Sequence, residues 1–429
     1  MKKLYSPLIL IISLILLFYT FYRSEIIWNG DKRNYYFTYY IISFLLILFS
    51  IITFYLNKKI KEYLIISTFS IFFALYFAES YLTYLEYTEE RIKIYERETG
   101  KKWDTRSHIE YYKDLKKIDN SAKLRVFPES FINDNNLFPV SGISNSKTVY
   151  NNENGYYFVY DSDRYGFNNP DEEWDQNKIE YLLIGDSFAQ GANVNRPNDI
   201  ASVLRDLSNK SVLTLGYGGN GPLIEYASLK EYLNPTMNKV LWLYYERNDP
   251  SNLVTELTNK ILRKYLDNFT FTQNLKSRQD EIDKLAEKKM LEEMERFIYN
   301  NRFSYKFKKF IKLYNLRLSL APKSKKINLQ PEFKKILKFA KILTEKNNSK
   351  LYFVYLPTYS RYLKNYENTD YILIKEILNE LNISFIDLHT EVFDRAEDPF
   401  IYFPFKLPGH YNLDGYKKVA EKIYDLTNN

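Results

Sequence analysis

Three long apolar runs fill most of the first eighty-five positions, at 7–22, 36–56 and 63–82. The second and third reach the ~20 residues that cross a hydrocarbon core; the first holds sixteen and needs flanking anchors to do so. Trp28, Tyr35 and Tyr36 stand at the run ends, where aromatic belts form. Arg23-Ser24-Glu25 follows the first run with no small-residue cleavage site, so it reads as a membrane helix rather than a signal peptide. Buried helices of a soluble protein are the competing reading, and three such runs separated by short charged loops count against it. Lys2, Lys3, Lys58, Lys59 and Lys61 lie on one side of these spans, against Arg23, Lys32 and Arg33 on the other. That bias puts the N-terminus in the cytoplasm and everything after residue 85 outside it, on a protein integral to the cytoplasmic (inner) membrane. Arg91, Lys93 and Arg97 narrow the bias.

From residue 179 the pattern changes to short continuous apolar runs spaced by helical periodicity. Strands are predicted at 179–184, 211–215, 239–245, 350–356 and 384–388, with amphipathic helices at 222–233, 331–346 and 412–426. Continuously apolar strands spaced by helices predict a parallel five-stranded sheet covered on both faces, a flavodoxin-like three-layer α/β/α sandwich. The site of such a sheet lies at the carboxyl ends of its strands. Residues 86–178 are polar and rich in turns, such as Asn151-Asn152-Glu153-Asn154-Gly155, and predict an irregular connecting subdomain with some antiparallel strand. A helical insertion at 251–330 interrupts the 179–429 domain. Its 277–298 segment reads as a surface helix. Its 301–326 segment carries nine Lys/Arg and no acid, interleaved with Phe303, Phe307, Phe310, Leu313, Leu316 and Leu320. Such a stretch lies on anionic lipid or packs as a cationic helix on the sheet domain.

The chain of 429 residues contains no cysteine, which excludes disulfides, thiolate metal sites and a cysteine nucleophile. Its histidines are His108, His389 and His410, with neither a second histidine nor an acidic cluster near His410, so no metal site is expected. The net charge is +7, but residues beyond 85 contribute only +3, too little to imply nucleic acid.

The residues following the strands carry the candidate chemistry. Gly185-Asp186-Ser187 follows the first strand, placing Ser187 at the sheet edge and the start of a helix. Leu215-Gly216-Tyr217-Gly218-Gly219-Asn220-Gly221-Pro222 follows the second and lets backbone N–H groups approach a ligand. Glu246-Arg247-Asn248-Asp249 follows the third, and Gly409-His410-Tyr411-Asn412 precedes the last helix. Taken singly, these are an N-cap, a turn and a structural histidine. Taken in order on one edge, they supply a nucleophile, backbone and amide donors, and a base.

In Gly185-Asp186-Ser187, Gly219, Asn248 and His410, in that chain order, the sequence resembles the SGNH (GDSL) hydrolases and acyltransferases over roughly 179–429. The resemblance implies that Ser187 is the nucleophile and His410 the general base. It also implies that Gly219 and Asn248 complete an oxyanion hole with the N–H of Ser187. Two positions depart from the family. Leu407 stands where an aspartate usually precedes the histidine by three, so His410 works in a dyad oriented by a backbone carbonyl, or takes a carboxylate from Asp398 or Asp394. Arg247 replaces a usual glycine; it binds an anionic substrate or pairs with Glu246. Water as acceptor gives an ester hydrolase acting on O-acyl groups, and a sugar hydroxyl gives an acyltransferase; neither needs a cofactor. Location outside the membrane points to an acylated cell-surface polysaccharide.

Two other readings compete. The loop Gly216, Gly218, Gly221 matches the dinucleotide fingerprint with Glu246 as the ribose partner, but it follows the wrong strand and leaves Ser187, Asn248 and His410 unexplained. A non-catalytic glycan-binding domain is the other; retention of Ser187, Asn248 and His410 together counts against it. His108 and His389 read as structural, and Tyr217 and Tyr411 as candidate walls of the pocket.

Overall fold

The computed structural model describes residues 2–87, 90–320, 329–364, 366 and 369–428. Contacts divide the chain into two units, Met1–Thr88 with Phe303–Pro322, and Glu89–Arg302 with Lys323–Asn429.

The first unit contains α1 (Lys2–Phe21, continued by a wider turn to Ile27), α2 (Arg33–Tyr55) and α3 (Lys58–Tyr87). All three are long and apolar enough to cross a membrane, and the first, at Lys3–Ile27, is longer than its sixteen-residue apolar run implied. Burial here is the reverse of that in a water-soluble core. Leu4, Ile11, Phe18, Phe44 and Phe73 are exposed, whereas Ser6, Ser13, Ser43, Ser50 and Thr53 are buried. Small hydroxyl residues let helix backbones approach and bond across, as Ser50 Oγ does to the Ser6 carbonyl at 3.2 Å and Tyr5 with Thr68 at 2.9 Å. Large apolar groups face outward because lipid, not water, is their solvent.

The basic stretch belongs to this unit. Helices Phe303–Ile311 and Tyr314–Leu320 have partners on α3 and α2; Lys323, Lys325 and Lys326 lie outside the described residues. The Tyr76 hydroxyl donates to the Ile311 carbonyl at 3.0 Å, and the Tyr76 ring packs on Phe310 at 5.5 Å. Glu79, buried in α3, accepts from the amides of Asn315 at 3.0 Å and Leu316 at 2.8 Å.

The second unit has the predicted flavodoxin-like architecture. With a small sheet of β1 (Ala122–Leu124), β2 (Lys147–Val149) and β3 (Val159–Asp161) preceding them, the main strands are β4 (Ile179–Gly185), β5 (Val212–Thr214), β6 (Met237–Tyr245), β7 (Lys350–Leu356) and β8 (Ser384–Asp387). Their order is β5-β4-β6-β7-β8 with every pair parallel. Side chains alternate between two cores. Leu182, Ile184, Val240, Trp242 and Tyr244 enter one; Tyr181, Leu183, Leu241, Leu243 and Tyr245 enter the other. With both faces dry, an alternating polar pattern has no place, and the strands read as unbroken apolar runs. The chain turns from β5 on one side of β4 to β6 on the other, so the crevice opens at the carboxyl ends of β4 and β6.

The segment preceding β4 packs on the main sheet. Val126, Phe131, Phe138, Val149 and Phe167 join the same core as Leu182 and Trp242. Their polar turns are tied down individually: Asn169 donates to the Thr214 carbonyl and accepts from the Thr214 amide, both at 2.8 Å, which docks the segment on the edge strand β5. In the 277–298 segment, the helix Gln279–Asn301 buries Ile282, Ala286 and Met290, spaced by four, and leaves Leu291 outside.

Candidate active site

β4 ends at Gly185, where φ is +152° and a Cβ would lie 2.7 Å from the Leu243 carbonyl oxygen. Only glycine fits so close to β6. The chain then turns sharply through Asp186, whose side chain accepts from the Phe188 amide at 2.8 Å and caps the short helix Ser187–Gln190. This brings Ser187 to the crevice. Its own amide, the first of the helix, has no acceptor among the described residues.

Ser187 Oγ lies 2.8 Å from His410 Nε2. The other side of the imidazole meets a carboxylate, that of Glu153: Nδ1 is 3.0 Å from Oε2 and 3.1 Å from Oε1, and the His410 amide also donates to Oε2 at 3.1 Å. The Phe188 ring lies 4.9 Å from the imidazole centroid and steadies its plane. Burial alone would push Glu153 up; the charge and hydrogen bonds of His410 overcome that and hold it at about 2. For His410, burial works downward and Glu153 upward, and the net direction is up. With Glu153 ionised, Nδ1 carries the proton and Nε2 presents its lone pair to the Ser187 hydroxyl. Asn193, whose amide lies 2.8 Å from Nδ1, then faces the ring with its oxygen, since two donors cannot meet.

Glu153 replaces both carboxylates proposed from sequence. Asp398 caps Phe400 at 3.0 Å and pairs with Lys406 at 2.7 Å, while Asp394 is exposed. The dyad expectation is likewise corrected, because Nδ1 faces a side-chain carboxylate rather than a backbone carbonyl. Glu153 sits in the turn already visible as Asn151-Asn152-Glu153-Asn154-Gly155, where Asn152 Oδ1 accepts from the Gly155 amide at 2.8 Å. It lies 257 residues from His410, at no spacing that marks a partner.

Both predicted oxyanion donors keep an N–H with no protein acceptor among the described residues. Asn248 follows β6, and its Nδ2 donates to Asp186 Oδ2 at 2.9 Å, leaving a second N–H on the same nitrogen. In the glycine loop, the amide of Gly218 is spent on Gln190 Oε1 at 2.9 Å and that of Asn220 on the Tyr217 carbonyl at 3.0 Å. Gly219, at φ +93°, keeps its amide without a protein acceptor among the described residues.

The same loop leaves no room for a pyrophosphate. A Cβ on Gly216 would come within 2.4 Å of the Gln190 nitrogen and one on Gly221 within 2.5 Å of Asn252 Cβ, so protein fills these glycine clefts. The first amides of the helix that follows are already occupied by a side-chain carboxyl: Glu256 accepts from the amides of Gly221 at 2.6 Å and Leu223 at 2.9 Å. Glu246, the supposed ribose partner, is buried against Arg361 and Tyr355. That pairing also removes Glu246 as the counter-charge of Arg247, which is exposed beside Asn248. His389 bonds Tyr362 at 3.1 Å and His108 packs on Phe297. Tyr217 and Tyr411 are buried, with their hydroxyls on the carbonyls of Val126 and Pro357, so neither walls an open pocket.

No protein-family model and no curated protein matches the chain. Among solved structures it is similar to one described as a lipolytic protein of the G-D-S-L family from Desulfitobacterium hafniense, at 14% identity and a TM-score of 0.34, over 58% of this chain and 99% of that one. A member of the lipolytic G-D-S-L family from Veillonella parvula matches at 13% identity and a TM-score of 0.33, over 58% and 98%. A protein described as an SGNH hydrolase from Slackia heliotrinireducens matches at 8% identity and a TM-score of 0.29, over the same shares.

Proposed function

We propose that the chain is a membrane-anchored serine ester hydrolase of the SGNH type, removing O-acyl groups from a cell-surface polysaccharide outside the cytoplasmic membrane. The observation that carries the reading is the continuous line Ser187 Oγ, His410 Nε2, His410 Nδ1, Glu153, with hydrogen-bond lengths of 2.8 and 3.0 Å. In this reading His410 takes the Ser187 proton as Oγ attacks the ester carbonyl, and Glu153 stabilises the imidazolium that forms. The carbonyl oxygen gains a negative charge and accepts from the amides of Ser187 and Gly219 and from Asn248 Nδ2. The imidazolium returns its proton to the leaving alcohol, leaving an acyl-serine. Water, deprotonated by His410, then attacks the acyl carbon and releases the acid.

The test is labelling of the detergent-solubilised chain with a serine-directed fluorophosphonate, beside Ser187→Ala and His410→Ala. Labelling that requires both residues supports the reading. A folded wild-type chain that takes no label overturns it.

A further inference from the structure

The membrane unit contains a second candidate site, separate from the serine chemistry. A cavity of about 320 Å³ opens where α1 ends and α2 begins, against the segment 312–317. Its lining includes Arg23, Lys312 and Arg317 and no acidic residue. Arg317 is held in place by the hydroxyls of Tyr35 at 3.3 Å and Tyr39 at 3.0 Å. None of the three cations has a carboxylate partner among the described residues. Glu25, the acid nearest Arg23 in sequence, is taken by Arg33, and Glu79 by the amides of Asn315 and Leu316. Three positive charges gathered without a counter-ion repel one another and call for an anion.

The surroundings say what carries that anion. Leu16 of α1 forms an apolar part of the wall, within a span long enough to cross a membrane. On the helix Phe303–Ile311, Phe303, Phe307 and Ile311 recur every four residues and are exposed, an apolar stripe on a cationic helix, as on helices that lie in the headgroup layer. The tyrosines of the cavity belong to the same interfacial layer.

We infer that Arg23, Lys312 and Arg317 bind the phosphate of an anionic lipid headgroup. A free phosphate would satisfy the same cations, but only a lipid also uses the apolar wall and stripe.

The test is native mass spectrometry of the full chain in detergent with dioleoylphosphatidylglycerol, dioleoylphosphatidylcholine or inorganic phosphate added. Wild type should retain one phosphatidylglycerol where phosphatidylcholine is not retained. Arg23→Gln/Lys312→Gln/Arg317→Gln should weaken retention about 100-fold, from roughly a factor of five per basic group at a membrane surface. The charge-conserving Arg23→Lys/Arg317→Lys should keep it. Should the triple variant fail to fold, the single change of exposed Lys312→Gln carries the comparison with a smaller loss. Equal retention of both lipids, or unchanged retention by these neutralised variants, overturns the proposal. So does displacement of the lipid by an equal concentration of inorganic phosphate, which would make this a site for a free anion.

Discussion

Replacing Glu153 by glutamine tests the proposed mechanism at the residue that sequence did not reveal. The carboxylate lies 3.0 Å from His410 Nδ1, and both side chains are only 18% exposed, so solvent screens them little. Two unit charges at 3.0 Å and an effective dielectric of about 20 interact by roughly 5.5 kcal/mol. A glutamine keeps part of this as a dipole and removes the burial cost of the charge, leaving a loss of about 4–5.5 kcal/mol in imidazolium stabilisation. At about 1.36 kcal/mol per decade, kcat for p-nitrophenyl acetate should fall ~10³–10⁴-fold. The pH profile should move as well. His410 acts as base only when neutral, and Glu153 holds its pKa above the ordinary value against burial. Activity of the wild type therefore rises with pH through a pKa above that of a free imidazole. In Glu153→Gln that carboxylate no longer opposes burial, and the acid limb shifts to lower pH. A merely structural loss would lower the rate without moving the limb. A variant that keeps more than about a tenth of kcat with an unmoved limb would refute the assignment.

Other outcomes follow from neighbouring groups. Asp398→Asn and Asp394→Asn should leave kcat within about twofold of wild type, because their partners are Lys406 and solvent. Asn248→Ala should lower kcat ~10²–10³-fold with little change in KM, and should lower Tm because buried Asp186 loses its donor at 2.9 Å. Glu225 is fully buried against Trp242 Nε1 at 2.6 Å, and burial followed by the nearby Asp186 and Glu256 pushes it well above the carboxylate range. The folded state thus binds its proton more tightly than the unfolded chain, and wild-type stability falls as pH rises past about 4.3. Glu225→Gln keeps an acceptor for Trp242 and cannot ionise, so its Tm should exceed wild type by a margin that grows between about pH 5 and about pH 8; an equal or lower Tm at the upper end contradicts this. A chain begun at residue 179 should neither fold cooperatively nor take the fluorophosphonate label.

That truncation shows where sequence was legible and where it was not. The five strands were readable because each is apolar on both faces, and β4, β6 and β7 depart little from their apolar runs. Ser187, Gly219, Asn248 and His410 stood out as candidates because each follows a strand of the sheet or precedes the last helix. Glu153 obeys neither rule. It reaches His410 from an Asn-rich turn whose residues look like surface loop, and its position depends on packing that no periodicity records: Val126, Phe131 and Phe138 enter the sheet's core, and Asn169 ties the segment to β5. A boundary drawn where regular strands begin therefore passes through the candidate active site, with the base on one side and its carboxylate on the other.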